Sequence, residues 1–190
     1  MSETPLPNAP PSDNGADKRE TGGDQSGSAA PVSNGLRAVE TVEQFLKDDE
    51  WHPQRLDDST TYRVLFGGKF GEFRCYAQVH VDLEQFIFYA VAPVKVPEEQ
   101  RGAVAEFITR ANYGMRIGNF EMDYTDGEVR YKSSLDFEGA TLTFNLIRNA
   151  IYPAVMTLDR YLPGLMAVTF GGKPPVQAIA EIEGTASAPG

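Results

Sequence analysis

Cysteine is nearly absent from this chain: Cys75 stands alone among 190 residues. A single thiol excludes an intrachain disulfide and gives no sign of an oxidising compartment. Histidine is almost as scarce, with only His52 and His80. Without close-spaced ligand pairs, zinc would have to gather carboxylates from distant loops, so no metal and no cofactor is expected. Long apolar runs are missing too. The longest uncharged run of apolar character, Tyr161–Gly172, has 12 residues, well short of the ~20 that a membrane-spanning helix needs. No charged segment followed by an apolar core opens the chain, so no secretory signal is expected. Basic excess is lacking as well. The formal charge is −10, and Glu3, Asp13, Asp17, Glu20 and Asp24 against Lys18 and Arg19 put −3 of it in the first 35 residues, leaving −7 for the rest. Such a field repels phosphate backbones. The expectation is a cytoplasmic protein with neither a nucleic-acid nor a membrane partner.

What is present is unevenly spread. Residues 1–35 hold Pro5, Pro7, Pro10, Pro11 and Pro31, with Leu6 and Val32 as their only large apolar side chains before Leu36. That segment buries too little surface to offset its ordering entropy and is expected to be a disordered tail, as are residues 184–190. Residues 36–183 remain for a single domain.

Within that domain the apolar spacing alternates between helix and strand periods. Val39, Val42, Phe45 and Leu46 predict a helix over 38–49. Tyr62, Val64 and Phe66, and then Phe73, Cys75, Ala77, Val79 and Val81, predict two strands. A third, Gln85–Val94, is apolar on both faces, with Phe86, Phe88, Ala90 and Ala92 opposed by Ile87, Tyr89 and Val91. Pro97-Glu98-Glu99 starts a helix that Gly114 is placed to end. Asp126-Gly127 sits between alternating strands, the signature of a two-residue hairpin loop, which would set Asp123 opposite Arg130 and Glu121 opposite Lys132. Last, Phe144, Ile147, Ile151, Val155, Leu158, Leu162 and Leu165 step along a long helix containing Pro153 and Pro163, where kinks are expected. The predicted class is α+β: a five-stranded antiparallel sheet with three helices on one face, in the order helix, three strands, helix, two strands, helix.

The segment Arg110–Gly139 (RANYGMRIGNFEMDYTDGEVRYKSSLDFEG), with Phe73–Val96 and Asp159–Val168 (DRYLPGLMAV), resembles the YbjN family, a bacterial group described as regulators of sensory transduction. The resemblance covers roughly residues 38–183 and is most specific over Asn112–Lys132. It implies a type III secretion chaperone-like fold, an α+β layer built for binding. No partner-binding residue carries over position by position.

Residues that suggest chemistry have duller accounts. Cys75 and His80 are five apart on one predicted strand, so they point to opposite faces and cannot form a nucleophile–base dyad there. Glu121 and Asp123 share a face like paired acid–base carboxylates, but each would meet a cation. Phe66-Gly67-Gly68-Lys69, repeated as Phe170-Gly171-Gly172-Lys173, lacks the spacing of a phosphate loop; the first reads as a hairpin turn, the second as a helix cap.

Surface is what survives. Ile87, Tyr89 and Val91 form a second apolar face that needs a cover from a second subunit, a client segment, the tail, or the local loop Trp51–Leu56. The long helix has a similarly wide stripe, with only Arg148, Asp159 and Arg160 charged between Leu142 and Phe170, and part of it suits a dimer interface. These features point to a non-enzymatic, chaperone- or adaptor-like homodimer that holds a protein client, in regulation or stress signalling. The alternative is an enzyme or small-molecule sensor with a pocket between sheet and long helix, lined by Tyr76, His80 and Tyr131.

Overall fold

A computed structural model of the chain describes residues 32–57 and 59–184. Of the proposed tails, 1–35 and 184–190, residues 32–35 and Gly184 are described, Gly184 as the end of a helix, and the rest lie outside the described residues. The first helix, α1 (Asn34–Asp48), begins inside the segment read as tail. Its start is set by Ser33, whose Oγ accepts from Leu36 N at 3.2 Å and so satisfies one of the free first-turn donors.

Six strands follow, not five: β1 (Gln54–Arg55), β2 (Thr61–Gly67), β3 (Glu72–His80), β4 (Gln85–Lys95), β5 (Asn119–Met122) and β6 (Glu128–Asp136). All pair antiparallel in the order β1-β2-β3-β4-β6-β5. The extra strand, β1, is a two-residue edge with no alternation to betray it. Between β4 and β5 runs a 3-10 turn, Glu98–Gln100, and then α2 (Arg101–Asn112). After β6 come α3 (Phe144–Gly171) and a fourth helix, α4 (Pro175–Gly184), beyond the three predicted.

The strand faces separate as the period-2 pattern requires. Phe86, Phe88 and Ala90 of β4 join Cys75 and Ala77 of β3 and Val129 and Tyr131 of β6 in the core, and α1, α2 and α3 supply its other half. From α3 come Ile147, Ile151, Ala154, Val155, Leu158, Leu162 and Leu165. That stripe carries the helix unbroken through Pro153 and Pro163, because tertiary packing outweighs the two missing donors. Gly172, at φ 62°, ends it by returning its N–H to Ala167 O. The repeated Phe-Gly-Gly-Lys motif is thus one hairpin turn and one helix cap.

The β5–β6 hairpin departs from expectation by two residues. Phe120 faces Tyr131 and Glu121 faces Arg130, with residues 124–127 in the loop. Gly127, at φ 77°, lies against β4's end: Val96 N donates to Gly127 O at 2.8 Å, and a Cβ at 127 would fall 2.1 Å from Val96 O. Asp123 joins the turn, accepting from Thr125 N at 2.7 Å, and does not pair with Arg130. A slip of two leaves every side chain on its expected face.

Candidate functional site

Ile87, Tyr89 and Val91 lie on the face of β4 away from the helices. Ile87 sits between Gln78 and Ser134, Tyr89 between Tyr76 and Lys132, and Val91 is buried opposite Arg130. The Arg130 guanidinium lies 4.2 Å from the centre of the Tyr89 ring. Glu121 holds that guanidinium at 2.6 Å and Lys132 at 2.7 Å. Burial works to raise the Glu121 pKa, but the Lys132 and Arg130 hydrogen bonds outweigh it and hold the carboxyl below its usual range. The Trp51–Leu56 loop does not cover this face. Trp51 turns to the helix side, stacked on Phe66 at 5.7 Å and edge-on to Phe88 at 6.3 Å and Tyr152 at 6.0 Å. Tyr76 and His80 also belong to the outer face, so they cannot line a pocket against α3. Only Tyr131 points toward the helices, buried, its hydroxyl donating to Ile117 O.

The exposed apolar surface lies elsewhere. From Tyr152 to Phe170 the exposed positions of α3 are Tyr152, Met156, Pro163, Met166 and Phe170, with Arg160 as the one charged residue among them. Met156 is 58% exposed and Phe170 59%. A helix packed on one side is ordinarily polar on the other, and this one is not. Clefts of about 520, 650 and 460 Å³ lie along the stripe. The first two meet at Pro153 and Met156; the last two meet at Phe70 and Arg160.

Phe70 comes from the β2–β3 turn and is 49% exposed. It is held there deliberately. Asp159, a buried α3 carboxylate, accepts from Lys69 N at 3.0 Å and Phe70 N at 2.9 Å, while Gly68 N donates to Gly71 O at 2.8 Å. A Cβ on residue 68 would stand 2.2 Å from Asp159 Oδ1, which is why glycine occupies it. The turn does cradle an anion, but the anion is the chain's own side chain. Sequence reasoning missed this tie because its partners are 89 and 90 residues apart. The only local signals were the paired glycines and an acid inside an apolar helix.

Two further nodes fix the walls of the clefts. Asp49, at the end of α1, accepts from Trp51 Nε1 at 2.9 Å, Tyr152 Oη at 2.7 Å and Arg148 Nη2 at 3.3 Å. Burial raises the Asp49 pKa, yet these three donors bring it below the usual value. At the other end Tyr161 Oη donates to Glu183 at 3.0 Å, and burial together with that bond pushes the Tyr161 hydroxyl up to about 12. Arg160 Nη2 donates to Ile182 O at 3.2 Å, which ties α4 to α3.

Reactive groups do not converge. Cys75 is fully buried between Val64 and Ala90, where desolvation pushes its thiol up and makes it a poor nucleophile. His80 is on the opposite face, across from Gln85. No group of three or more potential metal-binding side chains occurs among the described residues, and none of the described helices is long and apolar enough to cross a membrane.

A family model, "YbjN: Putative bacterial sensory transduction regulator", matches residues 38–166. The chain belongs to the YbjN family. The match runs from α1 nearly to the end of α3 and takes in Asp159, Arg160 and the β2–β3 turn that Asp159 holds. Membership in YbjN supports a regulatory role in general. Among solved structures the chain is similar to YbjN from E. coli, described as a "putative transcription regulator", at a TM-score of 0.48 and 13% identity, over 66% of this chain and 89% of that one. No curated protein matches the chain.

Proposed function

We propose that this chain is a non-catalytic regulator that acts by holding a polypeptide partner, with the outer stripe of α3 and the clefts beside it as the docking surface. The observation that carries this reading is the exposure of Tyr152, Met156, Met166 and Phe170 on one helix, with Phe70 brought alongside by the Asp159 tie. Exposed apolar surface of this kind marks interaction sites, and open grooves on a helix suit an extended or helical peptide. The outer sheet face around Ile87 and Tyr89 is a second contact region, supported by its Tyr76, Tyr89 and Arg130 side chains, residue types favoured at interfaces. A second copy of the chain is the competing occupant of the stripe.

The test places a photocrosslinking amino acid at Met156, at Phe170, at Ile87, and at exposed Glu40 on α1 as control, in the chain's own cells. Adducts of one discrete partner at Met156 and Phe170, absent at Glu40, are expected. Adducts of twice the chain's own mass would assign the stripe to a homodimer. Equal labelling at Glu40 and Met156 would refute a docking surface on α3.

A further inference from the structure

The charges beside the stripe are not matched evenly, and the mismatch specifies the partner. The nearby carboxylates are engaged inside the molecule: Asp49 by Trp51, Tyr152 and Arg148, Asp159 by two backbone N–H groups, Glu183 by the Tyr161 hydroxyl, and Glu181, on the wall of the cleft beside Phe70, by Lys173 at 2.6 Å. The cations are engaged less completely. Lys69 makes no ion pair with any described residue, and its ammonium lies 4.9 Å from the centre of the Phe70 ring, at the mouth of the cleft. Arg160 donates to a backbone carbonyl, which orients the guanidinium without neutralising it, and lies against the Tyr161 ring at 5.6 Å. Both flank Phe70, where the 650 and 460 Å³ clefts join. In a chain of formal charge −10, the cleft lined by Lys69, Arg160 and Lys173, with Glu181 as the acid on its wall, holds more positive than negative side chains, a local reversal of the overall field.

Resting on the reading of α3 as a polypeptide-docking surface, we infer that its partner is an acidic amphipathic segment, whose apolar side chains enter the clefts beside Phe70 and Met156 and whose carboxylates meet Lys69 and Arg160. The inference opposes what net charge alone implies, since a −10 chain should prefer a basic partner at long range. Short-range complementarity sets register and discriminates between partners even where it adds little affinity.

The experiment measures fluorescence anisotropy of three labelled amphipathic peptides against the full-length protein. Each is about 18 residues long, a helix of ~27 Å that fits along the stripe. They share one apolar Leu/Phe face and differ only in a polar face of Glu, Gln or Lys. The Glu peptide is expected to bind about threefold more tightly than the Gln peptide and about tenfold more tightly than the Lys peptide, the preference shrinking at high salt. In Lys69→Glu/Arg160→Glu the order should reverse. Because Arg160 also holds α4, Lys69→Glu alone is measured in parallel and should halve the preference at least. Met156→Lys should abolish binding of all three. Tightest binding by the Lys peptide, an order indifferent to the charge variants, or binding that survives Met156→Lys would overturn the inference while leaving the crosslinking result standing. Binding by none of the three, in a folded protein, would refute the docking surface itself.

Discussion

Replacing Asp159 with alanine should detach the β2–β3 turn from α3. The side chain is 7% exposed and accepts from two backbone donors, at 3.0 and 2.9 Å. A hydrogen bond to a charged group contributes about 1.5–3 kcal/mol. Lys69 and Phe70 are exposed, however, so water can reach their freed N–H groups, which places the loss near the lower bound of each bond. The expected cost is about 2–3 kcal/mol, or roughly 4–12 °C in Tm for a domain of this size. Asp159→Asn keeps one acceptor oxygen but turns an NH₂ toward the other donor, and should cost about half as much. Urea unfolding gives the magnitude, and amide hydrogen exchange gives the location: Lys69 and Phe70 should lose protection while Val64 and Cys75 keep theirs. Gly68→Ala attacks the same tie from the other side, since its Cβ would stand 2.2 Å from Oδ1. The two changes should therefore be strongly non-additive in a double-mutant cycle. An Asp159→Ala variant within about 0.5 kcal/mol of wild type, with unchanged exchange at Lys69 and Phe70, would refute the reasoning, because surface substitutions free of such ties fall in that range.

Other parts of the fold give independent tests. Asn112 donates to Phe120 O at 2.9 Å and accepts from Phe120 N at 2.7 Å, so a side-chain amide occupies the open side of edge strand β5. Asn112→Ala should cost about 1–3 kcal/mol in urea unfolding and produce concentration-dependent light scattering, since an uncovered edge is a template for pairing. Glu50, at φ 59°, and His52, at φ 50°, bracket the inward turn of Trp51. Glu50→Gly should raise stability by about 0.5–1 kcal/mol, against the usual sign of a Gly substitution. The Glu121 carboxyl is held below its usual pKa in the folded state, so the stability it contributes is present above its unfolded pKa and is lost as pH falls through the folded value. Glu121→Gln should therefore lower the urea midpoint at pH 7, and the gap to wild type should close in acid, below about pH 4; a gap constant across pH would sink the account.

How far the sequence discloses this molecule depends on the range of the interaction that decides each feature. Strand faces were legible because alternation is local: Phe86, Phe88 and Ala90 are core residues, and Ile87, Tyr89 and Arg130 are not. The hairpin register was not, because Gly127 answers to Val96, just past the end of β4, and not to its own turn. The start of α1 was blurred by composition, since Ser33 caps a helix at the edge of a proline-rich segment. The Asp159 tie had no short-range signature at all.

The choice between the two surfaces rests on a comparison of costs. Covering the outer sheet face takes Glu121, Arg130 and Lys132 out of water together, and desolvating such a cluster costs several kcal/mol unless the partner replaces every hydrogen bond. Tyr89 would add little in return, being already half-covered by Arg130. Along α3 the balance is opposite. Phe70, Met156 and Phe170 each show about half of their surface to water, and burying the rest gains about 1 kcal/mol apiece. The carboxylates beneath them already have their partners, so a segment laid there displaces water from apolar carbon and meets charge at Lys69 and Arg160, where its own carboxylates can answer it. A partner that binds the sheet face more tightly than α3 would have to bring a complementary charged cluster of its own, and Glu121→Gln, which leaves the stripe untouched, would then weaken its binding where Met156→Lys would not.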